Sequence, residues 1–149
     1  MSLNRLLIVD DVPEIGSFMV SVAERSGYEA RATSGAQSFK RELVCFEPTL
    51  IGMDISMPGT DGIELLRFLA DNRCEAGILI VSGFDVRMLK CATLLGKSRG
   101  LRMLGTVPKP ITIAALQALF EKLRQDEPLQ PDQGQPSQPE ITEIPMRRT

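Results

Sequence analysis

Four short runs of consecutive apolar or β-branched residues recur along the chain: Leu6–Val9, Leu50–Met53, Ile78–Val81 and Met103–Val107. They alternate with longer segments in which apolar residues return every three or four positions. Strands covered by helices on both faces are apolar at every position, so this alternation predicts a parallel α/β sheet. A fifth segment, Glu29–Thr33, alternates polar and small residues, as expected of a half-exposed edge strand. Pro108 has no N–H to donate to a ladder, which places the last strand at an edge as well.

The helical segments carry their own punctuation. Ile15, Phe18, Met19 and Val22 form one face of a first helix, with Pro13 near its start and Gly27 past its end. Ser34 stands three residues before Gln37, a capping-box spacing that predicts a second helix burying Ala36, Phe39 and Leu43 and stopping before Pro48. A third follows Asp61, with Glu64 in its first turn and Ile63, Leu66 and Ala70 inward. A fourth is expected from about Asp85 to Leu95, and a fifth from a Thr112 cap through Leu116, Leu119, Phe120 and Leu123. After Gln125 half of the ten prolines fall in a Gln-rich segment with few apolar residues. Residues 1–125 are therefore expected to form one domain, and 126–149 a disordered linker or tail.

Composition narrows the possible chemistry. A chain of 149 residues, 43% hydrophobic and 24% charged, has material for one core. Its formal net charge of −2 gives no bulk electrostatic reason to expect nucleic acid or membrane as a partner. No apolar run approaches a membrane span, and Met1–Val9 runs into Asp10-Asp11 without a cleavage site, so a cytoplasmic location is expected. Cys45, Cys74 and Cys91 are odd in number and lack a CxxC pattern, so they read as small apolar fillers rather than disulfide or zinc ligands. Histidine is absent. That removes Ser-His-Asp hydrolysis and any phosphohistidine relay within the chain.

In a doubly wound sheet, ligands sit beyond the carboxyl ends of the strands. The residues there are Asp10, Asp11, Asp54, Ser82 and Lys109, which predicts three carboxylates, a hydroxyl and an ammonium in one pocket. Carboxylates about 4 Å apart repel by about 4 kcal/mol at an effective dielectric near 20, so such a cluster calls for a cation. Mg²⁺, a hard ion shared readily between carboxylates and phosphate oxygens, is the expected cofactor. The whole set is suited to phosphoryl transfer, with Asp54 as nucleophile and acceptor. Singly, each residue has a plainer reading. Asp11 or Asp61 would serve as a helix cap, Asp54 as a loop acid, and Ser82 as a partner for backbone groups. Only the joint reading accounts for acids, hydroxyl and lysine all falling at strand ends.

Leu6-Leu7-Ile8-Val9-Asp10-Asp11, Asp54-Ile55-Ser56-Met57-Pro58-Gly59-Thr60-Asp61-Gly62, Val81-Ser82-Gly83 and Lys109-Pro110, taken in order, closely resemble the receiver domain of two-component response regulators over residues 4–124. The resemblance implies a flavodoxin-like three-layer fold, with a doubly wound parallel sheet of order 2-1-3-4-5 between five helices. It implies Asp54 as phosphoacceptor, with Asp10, Asp11, Asp54 and the Ser56 backbone carbonyl as Mg²⁺ ligands. Ser82 would be the switch hydroxyl, Lys109 the phosphate-pairing lysine, and Lys109–Pro110 a cis bond. Partners would be a histidine kinase or phosphotransfer protein and a downstream output domain or effector, with a binding face on helix 4, strand 5 and helix 5. The chain would be no enzyme beyond catalysing its own phosphorylation and dephosphorylation.

Two features depart from the family pattern. Thr106 stands where a switch Tyr or Phe is usual, and the stretch from Ser82 to Lys109 is about one helical turn longer than in simple chemotaxis-type receivers. Gly100–Pro110 is similar to receivers joined to cyclic-di-GMP phosphodiesterase domains. Thr106 leaves open a second reading, an interaction module that binds without phosphorylation. A third, a phosphatase using Asp54, lacks a general acid because Ser56 takes the place of the usual second aspartate. The basic residues Lys97, Arg99 and Arg102 and the pair Ile141 and Ile144 receive no function from sequence alone.

Overall fold

The computed structural model describes residues 4–55, 62–83 and 86–126. Five strands, β1 (Arg5–Val9), β2 (Glu29–Thr33), β3 (Leu50–Asp54), β4 (Gly77–Ser82) and β5 (Arg102–Pro108), alternate with five helices. These are α1 (Pro13–Arg25), α2 (Ala36–Phe46), α3 (Gly62–Asp71), α4 (Val86–Ser98) and α5 (Ile113–Asp126). All strand pairs are parallel, in the order β2-β1-β3-β4-β5. The interior strands β1, β3 and β4 are three of the continuous apolar runs, and every residue of β3 and β4 is buried. Polar β2 and proline-ended β5 are the edges, as the sequence predicts.

Alternate residues of the strands feed two cores. Leu7, Val9, Ile51, Met53, Ile78 and Ile80 pack with Phe39, Phe46, Leu65, Leu66, Leu69 and Ala92 from α2, α3 and α4. Leu6, Ile8, Leu50, Leu79, Val81 and Val107 pack with Met19, Val22, Leu116, Phe120 and Leu123 from α1 and α5. Each large apolar side chain so buried contributes about 1.5–3 kcal/mol. Tyr28, just before β2, packs its ring against Phe120 in a tilted pair with centroids 5.2 Å apart, so α5 runs from the carboxyl end of the sheet back to the end where strands begin.

Several local expectations are corrected. Ser34 does not cap α2: the N-cap is Gly35, with no side-chain cap bond. Phe39 N–H donates to the Gly35 carbonyl, and Phe39 and Phe46 are the buried residues, with Ala36 and Leu43 only half-buried. In α3 the inward face is Gly62, Leu65, Leu66 and Leu69, while Ile63 and Ala70 flank it. Gly62 sets this phase, because a Cβ there would lie 2.5 Å from Ile55 Cα; only glycine lets α3 lie so close to the end of β3. Asp61 and Asp85 lie outside the described residues. Cys45 and Cys91 are exposed rather than filling the core; only Cys74 is partly buried.

The extra turn between Ser82 and Lys109 is accounted for in two places. α4 continues three residues past Leu95, to Ser98, and closes with Leu101 N–H on the Gly96 carbonyl and Gly100 N–H on the Lys97 carbonyl. This 6→1 and 5→2 pair needs a left-handed residue, supplied by Gly100 at φ 86°. β5 then bulges: Met103 pairs with Ile78 and Gly105 with Leu79, leaving Leu104 between them. Thr112 caps α5 as expected, its hydroxyl accepting from Ala115 N–H at 3.2 Å. α5 ends at Asp126, one residue beyond the predicted boundary; the predicted tail lies outside the described residues.

Candidate functional site

The carboxyl ends of the central strands bring the candidate residues together. Asp10 follows β1, Asp54 and Ser82 end β3 and β4, and Lys109 follows β5. Asp10, Asp54 and Ser82 are only 2–3% exposed. Oxygens of Asp10, Asp11 and Asp54 all lie within 4.8 Å of one another. Lys109 Nζ bridges two of these acids, 3.0 Å from Asp10 Oδ2 and 3.1 Å from Asp54 Oδ2. The contact to Asp54 is also an aligned hydrogen bond, whereas that to Asp10 is a charge contact only.

Local structure holds each group in place. Asp10 N–H donates to the Thr33 carbonyl, and Asp10 Oδ1 accepts from Val12 N–H at 2.9 Å, turning the chain from β1 into α1. The N-cap of α1 is Val12, without a side-chain cap bond, so Asp11 does not serve as the cap and is left for the pocket. Lys109 N–H donates to the Ser82 carbonyl, tying the lysine to the end of β4. The Lys109–Pro110 bond is cis, as the resemblance implies.

The site is undercompensated. Three carboxylates face one ammonium, and carboxylate oxygens within 4.8 Å of one another repel by about 3.5 kcal/mol or more per pair at an effective dielectric near 20. Burial raises Asp10 above the usual carboxylate range and nearby Asp54 adds to this, against the Val12 N–H and Lys109. Burial alone would lower the Lys109 ammonium, but its pairing with the Asp10 and Asp54 carboxylates outweighs it and raises the group. The buried Ser82 hydroxyl oxygen has no hydrogen-bond partner among the described residues, an arrangement costing about 1–3 kcal/mol when nothing else satisfies it. Surplus negative charge on hard oxygen donors, beside an unsatisfied hydroxyl and a lysine, fits Mg²⁺ together with a phosphoryl group.

Of the sequence-predicted residues, Asp10, Asp11, Asp54 and Lys109 cluster, and Ser82 ends the adjoining strand. Ser56 lies outside the described residues. Sequence reasoning missed the Val12 N–H that orients Asp10, since a backbone donor leaves no mark in residue identity. Thr106 is exposed on β5, paired with Ile80.

Residues 6–121 match the response regulator receiver domain family. The chain belongs to this family. Among curated relatives of this receiver, chemotaxis protein CheY of Bacillus subtilis is 33% identical over 81 residues, covering 53% of this chain and 67% of that protein. Nitrogen assimilation regulatory protein NtrX of Azorhizobium caulinodans is 35% identical over 80 residues, 52% of this chain and 18% of that protein. The receiver spans about a third or less of the length of NtrX, PhoP and PhoB. Among solved structures, a response regulator from Colwellia psychrerythraea superposes with a TM-score of 0.71 at 29% identity, covering 85% of this receiver and 100% of that chain. A CheY-like receiver from Methanospirillum hungatei gives 0.70 at 26% identity, over 85% and 98%.

Proposed function

We propose that this receiver is a phosphoryl-accepting switch in which Asp54 is the acceptor. The observation that carries the reading is Lys109, held between two buried carboxylates from different strands within 3.1 Å of each. An Asp54 oxygen attacks phosphorus of a phosphohistidine on a partner kinase or phosphotransfer protein; the O–P bond forms as the N–P bond breaks, and the imidazole departs with the bond pair. The phosphohistidine lies outside these 149 residues, which include no histidine. Asp10, Asp11, Asp54 and the Ser56 carbonyl would hold Mg²⁺, which would supply charge neutralisation for the transferring group. Lys109 then exchanges its contact with Asp54 for a phosphoryl oxygen, and the Ser82 hydroxyl donates to another. Breaking the Lys109–Asp54 bond and engaging Ser82 pulls on β5 and the start of α4, altering the α4–β5–α5 face. The chain's only catalysis is of its own phosphorylation and dephosphorylation, and the residues that follow α5, 127–149, are read as a linker or tail outside the domain.

Incubation with acetyl phosphate and Mg²⁺ should give a phosphate adduct by intact mass. The adduct should vanish in Asp54→Asn and persist in Asp11→Asn; equal labelling of Asp54→Asn would end the assignment. The exposed Thr106 favours a second reading, a phosphorylation-independent interaction module, since a small polar residue there offers no aromatic to rotate inward. Titration with beryllium fluoride and Mg²⁺ separates the two: amide shifts reaching Thr106 and residues 86–104 belong to a switch, and shifts confined to the pocket to a static module.

A further inference from the structure

Charge on this receiver is sharply segregated. Residues 86–120 hold six of the seventeen cations and none of the nineteen acids, so the rest of a chain of net charge −2 is left at −8. On α4, Arg87, Lys90, Leu94 and Lys97 recur at i, i+3, i+7 and i+10, one face of the helix. All four are exposed, Leu94 at 66%. Arg99 and Arg102, also exposed, continue the basic character beyond the helix end. Helix stability does not account for this stripe. Lys97 in the last turn is favoured by the macrodipole, but Arg87 stands in a first turn that has no acid, where a cation is disfavoured. Lys90, Lys97 and Arg99 make no ion pair among the described residues.

The chain itself carries a complementary segment. Glu140-Ile141-Thr142-Glu143-Ile144 sets two acids beside two apolar residues at the same three-residue spacing. We propose that this segment docks on the exposed face of α4, its glutamates against Lys90 and Lys97 and its isoleucines over Leu94. Reach is sufficient. α5 ends at Asp126, at the end of the sheet where α4 also ends and β5 begins. The fourteen residues from there to Glu140 span about 20 Å as a flexible chain and about 46 Å extended, while α4 is about 20 Å long. Tethering at this length gives an effective concentration on the order of 1 mM, so a segment of only millimolar intrinsic affinity occupies the face about half the time. The contact needs no phosphate on Asp54 and stands apart from the switch reading.

Amide spectra of the full unphosphorylated chain test it. In low salt, Glu140→Lys/Glu143→Lys should shift resonances of residues 87–102 and leave those of α1 and α2 in place. Raising ionic strength to about 1 M, where charges are screened beyond about 3 Å, should erase the difference. Lys90→Glu/Lys97→Glu should release the tail similarly, and combining the two reversals should restore the docked spectrum. Superimposable α4 resonances in wild type and tail variant would overturn the proposal. So would shifts that grow with protein concentration, which would mark contact between two copies, or a combined variant that fails to recover.

Discussion

Asp10 is the residue at which folding and function pull in opposite directions. Burial and Asp54 raise its carboxyl, so the fold disfavours the ionised form that a cation needs. Because the folded value lies above the unfolded one, the penalty is fully present above the folded value and fades as pH falls through it and the group takes up a proton. Asp10→Asn, which can still accept from Val12 N–H, should therefore stabilise the protein in EDTA at pH 7.5 by about 1 kcal/mol. Thermal melts against wild type should show that gain shrinking toward pH 4. Lys109 has the opposite sign of effect. Its raised value means its pairing with Asp10 and Asp54 stabilises at neutral pH and is lost only as pH rises through its alkaline titration. Lys109→Met leaves buried acids without their cation and should destabilise by about 3 kcal/mol, read by urea denaturation, as well as abolish the acetyl phosphate adduct. The charged members of this site were legible in sequence because strand ends converge whatever the helices do. The Asp10–Val12 bond was not, since it depends on how the backbone turns after β1.

Element by element, the strands announced themselves and the helices gave away their existence more readily than their rotation. Periodicity located α2 and α3, yet the face each one buries was set by contacts that no period encodes. For α3 that contact is Gly62 against Ile55. Gly62→Ala should force α3 off the end of β3 and cost about 1–3 kcal/mol, and should also weaken Mg²⁺ binding at Asp54 by calorimetric titration. Gly100 offers a contrasting case. A Cβ there meets nothing within 4 Å, so Gly100→Ala reports only the left-handed backbone at the end of α4 and should cost about 1–2 kcal/mol, with the pocket unaffected. The bulge at Leu104 was invisible in sequence because an extra residue inside an apolar run changes register, not composition.

For the whole molecule, ligation and folding are linked, because the acids converge only in the native sheet. A cation that binds the native state alone adds about 2.7 kcal/mol at one hundred times its dissociation constant. Melting temperature should climb with Mg²⁺ in wild type and stay flat in Asp10→Asn. The lysine bridge also has a meaning in the order of synthesis. Asp10, Asp11 and Asp54 leave the ribosome long before Lys109, which follows β5, the last strand in the chain. A nascent chain halted anywhere before residue 109 carries the three acids without the lysine that offsets their charge. Lys109 thus works as an electrostatic latch, because the charge of the pocket is offset only once the segment after β5 has been made and has joined the acids.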